Sequence, residues 1–75
     1  MEPYKIRFIK EFQELDERTK KLEALLEKFR KGKLEFSLSC PPILLISQYD
    51  AMVEYRRCLM RRARHEGIDL SMEVD

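Results

Sequence analysis

Arginines are concentrated near the carboxyl end of the chain, where residues 56–65 carry five of them and no acidic residue. If this segment is helical, Arg57, Arg61 and Arg64 stand at i, i+4 and i+7 and share one face. Guanidinium groups on one face repel each other unless an anion lies between them, and each can bind a phosphate through paired N–H donors. The spacing therefore predicts an anion-binding site, or else a site filled by acidic residues of the tail or of a neighbouring subunit.

Two further side chains complete the predicted ligand-binding set. Tyr55 precedes the arginines and carries a ring on which a nucleobase can stack. His65 follows them in the last turn of the same predicted helix. A tyrosine in a small helical protein is also commonly a core residue with its hydroxyl at the surface, so both roles remain open for Tyr55.

The other two arginines of the cluster, Arg56 and Arg62, have a different expected role. In an antiparallel pair of helices they flank the apolar seam, opposite the acidic first half of the chain, where Glu11 and Asp16 flank the same seam. Ion pairs of this kind fix the orientation of the helices and contribute about 0.2–1 kcal/mol each when exposed. We therefore expect Arg56 and Arg62 to act in folding and the remaining arginines to act in binding.

The sequence shows no arrangement of residues typical of catalysis. It has one histidine, and no serine or cysteine lies in a Gly-x-Ser-x-Gly turn. Its two glycines lie 35 residues apart, which excludes a glycine-rich phosphate-binding loop. Cys40 and Cys58 have no further cysteine or nearby histidine to complete a metal set. We expect a binding protein with neither cofactor nor metal, and not an enzyme.

Composition limits the architecture and the partners. A chain of 75 residues is expected to form a single domain over residues 1–75. Its net charge of +1 lacks the basic excess of a dedicated nucleic-acid-binding domain. No apolar run approaches the roughly 20 residues of a transmembrane helix, and no signal peptide is recognisable at the start. We expect a cytoplasmic protein that binds neither nucleic acid nor a membrane.

Periodicity predicts two long helices. Seam positions recur at alternating steps of four and three residues: Phe8, Phe12, Leu15, Thr19, Leu22, Leu26 and Phe29. The first helix should therefore cover about residues 4–30. Pro41 and Pro42 suit the start of a second helix over about residues 42–66, which Gly67 can end.

The segments outside the helices are less regular. Residues 31–41 contain apolar residues at alternate positions from Leu34 to Cys40. We expect an extended connector whose apolar side covers the end of the helix pair, or a strand that pairs with the same segment of a second subunit. The acidic tail, residues 68–75, is expected to fray or to lie loosely on the surface.

The predicted fold is all-α, an antiparallel helical hairpin that assembles as a homo-oligomer. A seam on the second helix, including Leu45 and Leu59, faces the first helix. A second apolar line, Ile46, Val53 and Met60, repeats every seven residues to one side of that seam. This line predicts a contact between subunits, because two helices alone bury little surface. The alternative is that the connector or the tail covers the line.

Two stretches, EFQELDERTKKLEALLEKF and PPILLISQYDAMVEYRRCLMRR, resemble a family of short helical-hairpin proteins of tailed phages, known from crAss-like and Firmicutes phages. The matching residues are Glu11, Glu14, Leu15, Lys21, Leu22, Glu23, Leu26, Leu44, Leu45, Gln48, Ala51, Met52, Tyr55, Leu59 and Arg62.

The resemblance implies a phage accessory protein that acts in the host bacterial cytoplasm, where such proteins often oppose host immunity. One implied mode is an oligomeric sponge that sequesters a nucleotide immune signal, such as a cyclic nucleotide or an ADP-ribose derivative, without catalysis. A second hypothesis is a protein-binding inhibitor of a host immune enzyme, comparable to an anti-CRISPR protein. A third is a structural helical module of the phage.

Overall fold

The computed structural model describes residues 2–73. Helix α1 covers Pro3–Arg30 and helix α2 covers Pro42–Glu66. The helices run antiparallel, since Asp16 pairs with Arg56 and the ring of Phe8 lies beneath Arg62. The predicted all-α hairpin is confirmed, and the helix bounds lie within one residue of those expected. The molecule measures 45 × 22 × 18 Å, and no helix of the described part is both long and apolar enough to cross a membrane.

Both helices end in the same way, at a glycine with a left-handed backbone. Gly32 and Gly67 each have φ of 68°. After α2, the amide of Ile68 donates to the carbonyl of Ala63 at 2.8 Å, and the amide of Gly67 donates to Arg64 at 3.4 Å. This is the Schellman pattern, in which the residue after the glycine also packs against the last turn. The chain therefore leaves α2 by turning back toward the core.

The hydrophobic core lies at the end of the hairpin that holds the chain termini. The buried apolar residues there are Phe8, Ile9, Leu15, Leu59, Ala63 and Ile68. Thr19 is also buried, and its hydroxyl donates to the carbonyl of Leu15 at 2.7 Å, which satisfies the polar group. Ile9 is completely buried, although the heptad pattern omits it because it lies beside the seam.

The connector contains turns and bends, and no strand is present among its residues 31–41. Leu34, Leu38 and Cys40 are half-buried, but Phe36 is 60% exposed. The expectation that the whole apolar side of this segment covers the hairpin end is therefore wrong for Phe36. Too few apolar neighbours are available at this end to enclose so large a ring.

The tail is more ordered than the sequence suggests. Ile68 is 9% exposed, and Leu70 packs against the core. The Gln13 side chain donates to the carbonyl of Met72 at 2.9 Å and to that of Leu70 at 3.5 Å. The expectation of a frayed or loose tail is wrong for residues 68–72, because the turn at Gly67 delivers two apolar residues to the core. Residues 74 and 75 lie outside the described residues.

Candidate anion-binding groove

A groove of about 490 Å³ lies between the last turns of α2 and the tail that folds back from them. Its lining residues are Arg57, Met60, Arg61, Ala63, Arg64, Ile68, Asp69 and Leu70. The helix supplies one wall with three arginines, and the tail supplies the other. The structure thus brings Arg57, Arg61 and Arg64 together around one space, as their helical spacing predicts.

The three arginines differ in how they are held. The Arg57 guanidinium lies 3.3 Å from the carboxylate of Glu54, one turn earlier on the same exposed surface. Within residues 2–73, Arg61 and Arg64 have no carboxylate within 4.0 Å. Their charges are therefore uncompensated by the described part of the chain and are available to an anion.

One carboxylate, that of Asp69, also lines the groove. It accepts hydrogen bonds from the amide of Ser71 at 3.0 Å and from its hydroxyl at 2.6 Å. These bonds hold the pKa of Asp69 below its usual range, so the group is negatively charged near neutral pH. The acidic tail therefore reaches the arginines, but Asp69 is tied to Ser71 and forms no ion pair with them.

Two members of the predicted ligand-binding set lie elsewhere. The hydroxyl of Tyr55 donates to Glu11 on α1 across the helix pair. His65 is exposed in the last turn of α2 and does not line the groove. The groove instead gains Asp69, an acid of the tail as the alternative interpretation allowed, and Ile68 and Leu70, which were not predicted as site residues. The sequence feature that indicates this wall is Gly67 followed by Ile68, because a glycine and then an apolar residue at a helix end predict a turn that packs back against the helix.

Arg56 forms the predicted ion pair across the seam. Its guanidinium lies 2.5 Å from Asp16, which also accepts from Lys20 at 3.0 Å. The bond from Lys20, followed by that from Arg56, lowers the pKa of Asp16 against the opposing effect of burial. The Asp16 side chain is only 23% exposed, so this pair is better shielded from water than those on the outer surface of α1.

The predicted pairing of Arg62 with an acidic residue is wrong. Its guanidinium lies over the ring of Phe8, 4.7 Å from the ring centre. This cation–π contact covers one side of the buried ring. Of the two acids expected to pair with the seam arginines, Asp16 pairs with Arg56, and Glu11 accepts a hydrogen bond from the hydroxyl of Tyr55.

The predicted subunit-contact line is uncovered at both ends. Ile46 is 43% exposed and Met60 is 49% exposed, whereas Val53 is half-buried. Met60 also lines the groove. Neither the connector nor the described part of the tail, residues 68–73, buries Ile46 or Met60, so the alternative that these segments cover the line does not apply to those two residues.

The chemistry available to the groove depends on the side chains that line it. Among residues 2–73, the lining contains no serine, cysteine or histidine. No cluster of three or more potential metal ligands occurs among residues 2–73. Three guanidinium groups opposite apolar side chains suit a ligand that has both phosphate and an apolar or aromatic part.

Comparison with known families bears on the whole hairpin. A family model described as Sequestin matches residues 2–65, which include α1, all of α2 except its last residue, and all three groove arginines. The chain belongs to the Sequestin family. The family name is consistent with a sequestering role and with the binding of some partner. The tail wall of the groove, residues 68–70, lies outside the matched range. No curated protein and no solved structure gives a significant match.

Proposed function

We propose that this Sequestin-family chain is a homo-oligomeric phage protein that captures a nucleotide immune signal in the host cytoplasm and holds it without chemical change. The observation that carries the proposal is the groove, where Arg57, Arg61 and Arg64 meet around one space. The family name agrees with capture, and the resemblance to small tailed-phage proteins supplies the biological setting.

The size and lining of the groove support a nucleotide ligand over a bare ion. Its volume of about 490 Å³ is within the range of roughly 300–1,000 Å³ typical of small-molecule sites. Arg61 and Arg64 are free to bind phosphate oxygens through paired N–H donors. Met60, Ile68 and Leu70 offer an apolar surface to a base or a ribose ring. A nucleotide carries phosphate at one end and rings at the other, which matches a groove with arginines on one side and apolar side chains on the other.

The residues that line the groove support the proposal of capture without turnover. Hydrolysis of a phosphate ester needs an activated nucleophile or a positioned general base. Asp69 supplies the only carboxylate that the described residues place in the lining; it is hydrogen-bonded to Ser71 and has a lowered pKa, so it is a weak base. We therefore expect the ligand to leave the protein as it entered.

The test is calorimetric titration with pyrophosphate, ADP-ribose and a cyclic dinucleotide, followed by chromatography of the ligand released by heat. We expect at least one nucleotide to bind and to be recovered unchanged. Recovery of hydrolysed product, in amounts that exceed the protein, would contradict sequestration.

A matched pair of variants links binding to the groove. Arg61→Gln should weaken binding by about 10- to 150-fold, because a charge-assisted hydrogen bond is lost. Arg18→Gln removes the same charge from the outer face of α1, where Arg18 pairs with Glu14 at 3.6 Å, and should leave affinity unchanged. If no nucleotide binds, the protein-binding inhibitor becomes the better hypothesis.

A further inference from the structure

The half of the hairpin next to the connector has no core of its own. All buried side chains of the described residues lie within residues 8–19 and 59–68. From residue 20 to residue 58, every side chain is at least partly exposed. The apolar residues of this half therefore lack the cover that the terminal half provides.

Large apolar side chains accumulate on the surface at this end. We define the connector-end patch as Phe29, Phe36, Ile43, Leu44 and Ile46, which are 42–63% exposed. They come from the last turn of α1, the connector and the first turns of α2. Single exposed apolar residues are normal, but several at one end of a small molecule mark an interaction surface.

Four of the five patch residues, all except Phe29, lie in a segment of the chain that is free of charge. Residues 36–49 contain no aspartate, glutamate, lysine or arginine, although 39% of the whole chain is charged. At that average, a stretch of this length would hold about five charged residues. Depletion of charge together with large apolar side chains is typical of the centre of a protein–protein interface.

We propose that the connector-end patch is the contact between two copies of this chain, which meet end to end about a twofold axis. An uncharged apolar surface is complementary to itself and needs no oppositely charged partner. The core of six apolar side chains is small, and chains of this size often depend on association for stability. With about 100 Å² exposed on each of five side chains, a pair would bury roughly 1,000 Å², the lower end for specific interfaces.

In this dimer the ligand-binding groove does not lie between the subunits. The groove lies at the terminal end of the hairpin, and the molecule is 45 Å long. An end-to-end dimer therefore places the two grooves at its far ends, each complete within one chain. Self-association and anion binding become separable. A monomeric chain would contradict the dimer and the oligomeric part of the proposed function, whereas the capture of a ligand in the groove would be tested separately.

Sedimentation equilibrium of the full chain tests the dimer. Leu44→Glu and Ile43→Glu put an acid into the first turn of α2, where the helix dipole favours it, so the helix itself is not weakened. Tyr4→Glu is the matched control, since Tyr4 is also exposed and lies in the first turn of α1 at the other end. We expect the wild type and Tyr4→Glu to sediment as two chains of 9.1 kDa, and the other two variants as one. Pyrophosphate binding should persist in all four.

Cross-linking gives a second measurement that does not depend on an interface variant folding. Both cysteines are free, Cys40 in the connector and Cys58 on α2. A short bismaleimide should link two copies of Cys58→Ser through Cys40, and should not link Cys40→Ser.

Three results would overturn the proposal. The first is a monomeric wild type, including one that floats with phosphatidylcholine vesicles. The second is a dimer that resists Leu44→Glu and dissociates with Val53→Lys. The third is cross-linking through Cys58 instead of Cys40.

Discussion

Arg56 and Arg57 are adjacent in the sequence but serve different surfaces of α2. Arg56 pairs with Asp16 across the seam and is only 33% exposed, whereas Arg57 is 61% exposed and lines the groove. The step of about 100° between successive helical residues separates the two side chains. Stability and binding therefore depend on different arginines, and substitutions can affect them independently.

Asp16→Asn should destabilise the hairpin by about 1–2 kcal/mol, because charge-assisted hydrogen bonds from Arg56 and Lys20 are lost at a partly shielded site. Urea unfolding followed by circular dichroism measures the change. Glu17→Gln is the control, since Glu17 pairs with Lys21 on the exposed side of the same helix. If Glu17→Gln lowered the free energy of unfolding as much as Asp16→Asn, the pair across the helices would contribute no more stability than an exposed pair.

The same pair predicts how stability depends on pH. Folding lowers the pKa of Asp16, first through Lys20 and then through Arg56. A lowered carboxyl pKa adds stability that is complete above the unfolded pKa of about 3.9 and is lost as the pH falls through the folded value. The difference in unfolding free energy between wild type and Asp16→Asn should therefore be constant near neutral pH and shrink below about pH 4. A difference that stays constant down to pH 2 would contradict this assignment.

Gly67→Ala should weaken both stability and binding. Gly67 has φ of 68°, and a Cβ there meets nothing within 4 Å, so the cost of about 1–2 kcal/mol is backbone strain alone. The turn at Gly67 also directs the tail that forms one groove wall, so pyrophosphate affinity should fall severalfold. Gly32→Ala has the same φ and the same free space at the connector end. It should cost similar stability and leave the affinity unchanged; equal losses of affinity would exclude a role for the tail wall.

Asp69→Asn should strengthen the binding of pyrophosphate. Asp69 is the one negative charge in the lining formed by residues 2–73, and its removal relieves repulsion of an anion. Calorimetric titration at low ionic strength measures the gain, which should diminish with added salt. Glu73→Gln changes the tail charge equally at an exposed position outside the lining and serves as the control. An unchanged or lower affinity for Asp69→Asn would mean that the anion does not approach this wall.

Part of this structure could be predicted from the sequence. The heptad positions predict α1, and the prolines and Gly67 mark the ends of α2, because these signals are local. An antiparallel seam predicted that Arg56 would meet Glu11 or Asp16, and the structure selects Asp16. The partners of Arg62 and Tyr55 could not be predicted in this way, because either side chain could reach several positions on α1. Which position each one contacts depends on the rotation of each helix about its own axis.

The tail and the exposed connector end were harder to predict for a related reason. Apolar residues alternate in the tail sequence at Ile68, Leu70, Met72 and Val74, and this period of two is typical of a strand and does not indicate packing against a helix. The burial of Ile68 and Leu70 depends on the direction that the chain takes after Gly67. In the connector, alternation suggested cover for the hairpin end, but the packing available there leaves Phe36 exposed. Both outcomes depend on tertiary contacts, which the spacing of residues in one segment does not specify.

The central claim is that the groove arginines bind a phosphate-bearing ligand. The most direct measurement is a titration of isotopically labelled protein with ADP-ribose, followed through the side-chain Nε–H signals of the arginines by nuclear magnetic resonance. We predict saturable shifts at Arg57, Arg61 and Arg64, with Arg56 and Arg62 unmoved. Shifts confined to Arg56 and Arg62, or no shift at any arginine with ADP-ribose or with pyrophosphate, would contradict the claim.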